Sequence, residues 1–154
     1  MKKLLFLFTA VILFSCSKDK KETPSEPTGF SIIVKQNSIV SGHVVENDAN
    51  CLIMVWKADG KDFDLSNISD GYAIDKNTDK AVKFNYGTSV NVMSEKVPAG
   101  HYLAFVQRTN TGDYGRLAYS YTYFDVSENN YNEMKKVFTT HVTTAGFEAW
   151  NQSE

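Results

Sequence analysis

The chain has 154 residues, with 16 Lys and Arg against 18 Asp and Glu, 42% hydrophobic and 13% aromatic residues, the make-up of one ordinary soluble domain plus its termini. A net charge of −2 gives no electrostatic reason to bind nucleic acid, which calls for a strongly basic face. The aromatic content argues equally against low-complexity disorder.

Met1-Lys2-Lys3 makes a positive start, and Leu4 to Phe14 is an apolar run relieved only by Thr9 and Ala10. A membrane-spanning helix needs about 20 such residues, so this run is too short to span and has the form of a secretory signal. Leu13-Phe14-Ser15-Cys16 closes it. That tetrapeptide resembles the lipobox of bacterial lipoproteins, in which the signal is cut just before a cysteine that carries a diacylglyceryl thioether and an acylated amine. The resemblance implies that residues 1–15 are a signal peptide, that Cys16 is the lipidated residue, and that the mature protein is anchored to the outer membrane. Each buried methylene contributes about 0.8 kcal/mol, so two or three acyl chains hold a protein firmly on a bilayer. An ordinary signal peptide with an incidental cysteine is the alternative. With Cys16 taken by lipid, Cys51 is the remaining thiol of the two cysteines, and an exported domain must then be stable without an internal disulfide.

Residues 16–29 hold the candidate lipidated cysteine and a polar tether with Pro24 and Pro27 and no apolar periodicity. Ser17 to Gly29 extends at most about 43 Å. Within it, Ser17-Lys18-Asp19-Lys20-Lys21-Glu22 is similar to the short charged export tag that follows the lipidated cysteine in Bacteroidetes-type surface lipoproteins. That similarity implies display on the cell surface; a solvated spacer beside anionic headgroups is the other reading.

From Phe30 onward alternation and β-branched residues dominate. Strands are predicted over Phe30 to Lys35, Ser38 to Val45, Cys51 to Lys57, Gly71 to Ile74, Ala81 to Tyr86, Ser89 to Met93, His101 to Gln107, Leu117 to Val126 and Val137 to Thr144. Asp59-Gly60 suits a two-residue hairpin turn, and Asn77-Thr78-Asp79 and Asn110-Thr111-Gly112-Asp113 read as polar turns. Only Ser127 to Lys136 has helical character, with Asn130 and Glu133 spaced as a capping pair. Short strands at this spacing predict an all-β fold, a single antiparallel β-sandwich over residues 30–154 with a Greek-key, transthyretin-like or immunoglobulin-like arrangement; a closed barrel is the alternative. Val97-Pro98-Ala99-Gly100-His101-Tyr102 is similar to the Pro-x-Gly turn and following aromatic strand of transthyretin-like and carboxypeptidase-regulatory-like sandwiches, including modules of Bacteroidetes outer-surface lipoproteins. It implies a fold class and carries over no functional residue.

Several residues carry candidate chemistry. Asp75, Asn77 and Asp79 are spaced like the opening of a calcium loop, but Lys80 and Tyr86 occupy the glycine and bidentate glutamate positions, so a polar turn is preferred. Asp59, Asp62 and Asp64 read as a solvated hairpin end. His43, His101 and His141 lie on three predicted strands that could converge on a metal, yet no short spacing supports this and no metal or other cofactor is expected. Cys51 sits in the apolar run Asn50 to Trp56, as a buried structural thiol does. Tyr119, Tyr121 and Tyr123 share one face of a strand with Leu117. Exposed, they form an amphipathic platform on which a sugar or peptide can stack; turned inward, they are core. They are the best candidate ligand-binding residues. The strong enzyme signatures are missing from the sequence, and no catalytic residue is assigned.

Three roles follow in order of preference: a lipid-anchored, non-enzymatic binding module for a protein or glycan; a structural accessory subunit that anchors an envelope or fimbria-like assembly; and a small enzyme or metal carrier built on the histidines. The expected partners are the membrane, through the N-terminal lipid, and a protein or glycan, with no nucleic acid.

Overall fold

Phe30, Ile32 and Val34 alternate with Ser31, Ile33 and Lys35, and this period of two gives β1 (Gly29–Val40) one dry face: the first three side chains are completely buried. The computed structural model describes residues 28–109, 118–139 and 147–150, and among them the chain is all-β with no helix. β1 organises the first sheet. Its N-terminal half pairs antiparallel with β8 (Val92–Lys96) and its C-terminal half antiparallel with β2 (His43–Asp48), while β11 (Tyr131–Thr139) runs parallel along its other side.

A five-stranded sheet has the order β12 (Phe147–Ala149), β10 (Tyr119–Val126), β9 (Gly100–Arg108), β3 (Cys51–Lys57), β7 (Tyr86–Thr88). A three-stranded sheet is formed by β4 (Phe63–Ser69), β5 (Tyr72–Asp75) and β6 (Lys80–Lys83). β10 and β12 are parallel, as are β1 and β11. The two larger sheets are therefore mixed and the small one is antiparallel, which corrects the expectation of a purely antiparallel fold.

The five-stranded sheet is buried on both sides, which is why β3 reads as a nearly continuous apolar run rather than an alternating one. Cys51, Ile53 and Val55 of β3 and Tyr102, Ala104 and Val106 of β9 share one core with Phe30, Ile32 and Val34 of the first sheet. Met54 and Trp56 of β3 and Leu103 and Phe105 of β9 point the other way, toward Phe63 and Ala73 of the small sheet. Fully burying an aliphatic or phenyl side chain contributes about 1.5–3 kcal/mol, so both faces stabilise the fold.

The structure corrects the element boundaries in several places, each for a local reason. The strand predicted over Ser38 to Val45 is broken by Ser41 and Gly42, which both take positive φ (52° and 81°) and make a two-residue hairpin turn from β1 to β2. Asp59-Gly60 is a turn, but it does not make a hairpin: β3 and β4 belong to different sheets, and the turn carries the chain between them. Gly71 is a turn residue rather than the first of a strand. Of the strand predicted over Ser89 to Met93, Ser89–Asn91 is a crossing from β7 in the five-stranded sheet to β8 beside β1, and Val92 and Met93 begin β8; the Val34 amide donates to the Asn91 carbonyl at 2.8 Å where the chain arrives.

The helical expectation over Ser127 to Lys136 is overturned. After a turn at Ser127–Asn130, β11 lies along β1 with Asn132 and Met134 buried and Glu133 and Lys135 exposed, a period of two that a helix cannot use. Asn132 Nδ2 donates to the Asp125 carbonyl at 2.7 Å, which satisfies the buried amide. The signal segment, the Asn110–Asp113 turn and the end of the strand predicted to Thr144 lie outside the described residues.

Candidate binding cleft

The register of the five-stranded sheet sets side chains of its outer face in rows. Leu52, Gln107 and Tyr119 form one row across β3, β9 and β10; Met54, Phe105 and Tyr121 form the next; Trp56, Leu103 and Tyr123 form the third. The small sheet seals the third row. Trp56 Nε1 donates to the Val82 carbonyl at 2.9 Å, and the Trp56 ring packs on Phe63 and Phe84. Over the first row the small sheet does not close down, and a cleft of about 630 Å³ remains.

Leu52, Met54, Gln107 and Tyr119 contribute to the cleft from the large sheet, with Gly87, Thr88 and Ser89 at its β7 side. Ile68, Ser69, Asp70 and Gly71, where β4 turns into β5, stand opposite with Phe84. Asp70 and Gly71 have φ of 51° and 80°, the two positive values that a tight hairpin turn requires and that Asp-Gly accepts readily. Phe84 is wedged between two glycines: a Cβ on Gly71 or on Gly87 would lie 2.6 Å from its ring. Its amide donates to the Gly71 carbonyl at 3.0 Å. The ring is thus held in place at the cleft by the shape of its neighbours.

Among the described residues, Asp70 is the one charged side chain lining the cleft, and no lysine, arginine, histidine or cysteine joins it. Hydroxyls and an amide supply the other polar groups. Ser69 Oγ donates to Asp70 Oδ2 at 3.4 Å, and the lining combines an apolar floor with these polar groups, the make-up of a small-molecule pocket.

Tyr119, Tyr121 and Tyr123 lie on one face and each is half-buried, yet they sit in three settings. Tyr119 lines the cleft, with its ring 5.7 Å from that of Phe105. Tyr121 packs against both cores. Tyr123 is stacked on His101, with ring centroids 5.3 Å apart and planes 4° from parallel; burial pushes its hydroxyl above the usual tyrosine value, against the opposing pull of the Phe63 backbone amide. Leu117 and Cys16 lie outside the described residues.

His101 Nδ1 is 2.7 Å from Asp125 Oδ1, His43 is exposed on β2, and His141 lies outside the described residues. Among the described residues no three His, Cys, Asp or Glu side chains are grouped to hold a metal ion. Asp75 turns its carboxylate inward to the turn it caps: Thr78 Oγ1 donates to it at 2.8 Å, and the amides of Asn77 and Asp62 donate at 3.2 and 3.3 Å. The Thr78 hydroxyl, with the two amides, holds that carboxyl below its usual value. Asp62 pairs with Lys76 at 2.8 Å and Asp64 accepts from Ser66, so these acids serve the small sheet's own turns. Burial pushes the Cys51 thiol up to about 11.

Gln107, Phe84 and Asp70 were not candidates in the sequence. Asp70-Gly71 is a hairpin dipeptide and was readable as one; the meeting of Gln107 with Tyr119 depends on cross-strand register, which spacing along the chain does not reveal. The chain matches no family model, no curated protein and no solved structure.

Proposed function

We propose that this chain is a non-enzymatic binding module for a protein or glycan, built as a β-sandwich of transthyretin-like or immunoglobulin-like type and carried by a lipid anchor on the bacterial outer membrane. The observation that carries the binding role is the cleft: both faces of the central sheet are covered except where the small sheet leaves Leu52, Gln107 and Tyr119 open. An uncovered amphipathic row on an otherwise packed sheet is the usual form of a ligand site. Anchoring is supported by the lipobox-like Leu13-Phe14-Ser15-Cys16 and the tether behind it.

Intact cells treated with a protease too large to cross the outer membrane test the display. Loss of the domain while a periplasmic control survives places it on the surface; protection until lysis places it in the periplasm. Cys16→Ser is expected to move the protein from the detergent phase to the aqueous phase, and an unchanged partition overturns the anchor.

A second reading, an accessory subunit of an envelope assembly, draws on the β1–β2 hairpin. Its tip exposes Ile39, Val40 and Val44, the last 70% exposed, a cluster that costs solubility unless something covers it. That reading requires a stoichiometric complex that Ile39→Ser with Val44→Ser dissolves while the cleft is untouched.

A further inference from the structure

Resting on the reading of this chain as a binding module, we propose that the cleft takes a neutral saccharide, a short run of uncharged hexose or N-acetylhexosamine units. Charge narrows the choice first. Among the described residues, Asp70 is the one ionisable carboxylate in the lining and no cation accompanies it, so a phosphate, sulfate, uronate or peptide carboxylate would lose its water without gaining a partner from them. The Asp70 carboxylate accepts hydrogen bonds while the hydroxyls and the Gln107 amide both donate and accept them, the mixture that sugar hydroxyls can satisfy.

The apolar part of the lining narrows it further. A pyranose has one face of C–H groups and an edge of hydroxyls, and the C–H face packs on an aromatic ring as other apolar groups do. Tyr119 and Phe84 provide two rings in the cleft, while Asp70, Gln107, Thr88 and Ser89 provide polar groups around them. Pre-organisation favours binding because little side-chain freedom is left to lose. Phe84 meets that condition, since Gly71 and Gly87 close on its two edges. The volume of about 630 Å³ lies within the range of about 300–1,000 Å³ that holds small ligands.

An extended peptide is the main competitor, since it can add a strand to a sheet edge. Two sheet edges border the cleft: β4, which contributes Ile68 and Ser69 and whose pairing with β5 is interrupted between Asp64 and Ser69, and β7, three residues long, from which the chain leaves at once for β8. Edges so short or interrupted offer a peptide backbone few hydrogen bonds. A saccharide needs no strand edge.

The test is titration calorimetry on the full-length protein, solubilised in a detergent that carries no sugar, with chitotriose, cellotriose and maltotriose against trigalacturonate and an uncharged hexapeptide library. Saturable binding of at least one neutral trisaccharide is expected, weakened at least tenfold by Tyr119→Ala and by Asp70→Asn, with trigalacturonate bound at least tenfold more weakly. Asn accepts the positive φ of position 70, and Ser89→Trp, an exposed rim position, blocks the cleft without touching the core, so loss of binding is separable from loss of fold by a thermal melt. Tighter binding of trigalacturonate, or neutral binding indifferent to all three substitutions, overturns the proposal. Hexapeptide binding that the same variants abolish, with no neutral sugar bound, overturns the saccharide while leaving the binding module standing. No binding of any probe overturns both.

Discussion

The two faces of the five-stranded sheet are made by the same strands and even by neighbouring residues, yet they meet different fates. The inner face meets the long, continuous β1, and Phe30, Ile32 and Val34 are completely buried against it. The outer face meets three short strands, whose packing seals Trp56 and Leu103 but leaves Leu52, Gln107 and Tyr119 open. A strand's alternation guarantees two faces; what lies across from each decides whether it becomes core or site.

The comparison breaks most severely at Phe30. Its ring is fully buried and packs edge-on against Phe124 at 5.3 Å and Tyr86 at 6.1 Å. Phe30→Ala should cost about 3–5 kcal/mol, the range for emptying a buried phenyl site, and should abolish cooperative folding or shift the urea midpoint by most of its value. Val82→Ala, in the half-buried cover, should cost about 1 kcal/mol. Equal losses would mean that the small sheet is as integral to the fold as β1, and that the cleft is a gap in one core rather than a site beside it.

A smaller effect is expected at the two glycines that hold Phe84. Alanine at Gly87 puts a methyl 2.6 Å from the ring, and at Gly71 it does the same where φ is +80°. Overpacking of this kind costs about 1–3 kcal/mol, and Gly71→Ala should be the worse of the two because backbone strain adds to the clash. Both should displace Phe84 and weaken any ligand of the cleft, while the inner face keeps its near-ultraviolet signal. Gly87→Ala that melts like the parent would show that the ring moves aside freely and does not pre-form the cleft.

The large sheet was the part most legible in the sequence. Cys51 to Trp56 announces a strand covered on both sides because almost every residue in it is apolar, and the alternation around Tyr119, Tyr121 and Tyr123 survives as β10. The cover was legible only in pieces. Among the residues of β4 only Phe63 is fully buried, amid Asp64, Ser66 and Asn67, so its apolar pattern was too thin to register. At β11 a weak local preference for a helical turn lost to a long-range one, since nine residues pair in register with β1. The tyrosine stripe pointed at the right face but treated it as uniform. Which tyrosine borders the cleft depends on how far the small sheet reaches over each row, and that is a tertiary fact with no local signature.

The sharpest comparison of the two faces costs the least stability and uses adjacent residues. Cys51 points into the inner core, where burial pushes its thiol up to about 11 and its Sγ lies 3.9 Å from the Val90 carbonyl. Only the thiolate attacks an alkylating reagent, so at pH 8 a raised value and a closed core both protect it. Iodoacetamide should leave Cys51 unmodified in the native protein and label it fully in urea, as read by the mass of its peptide. Leu52 points out to the cleft. A thiol introduced by Leu52→Cys should be labelled at pH 8 in the folded state, and a saturating ligand of the cleft should slow that labelling while leaving Cys51 unchanged. Native labelling of Cys51 at a rate near that of the introduced thiol would mean that the inner face opens as readily as the outer one, and the distinction between core and site on this sheet would be lost.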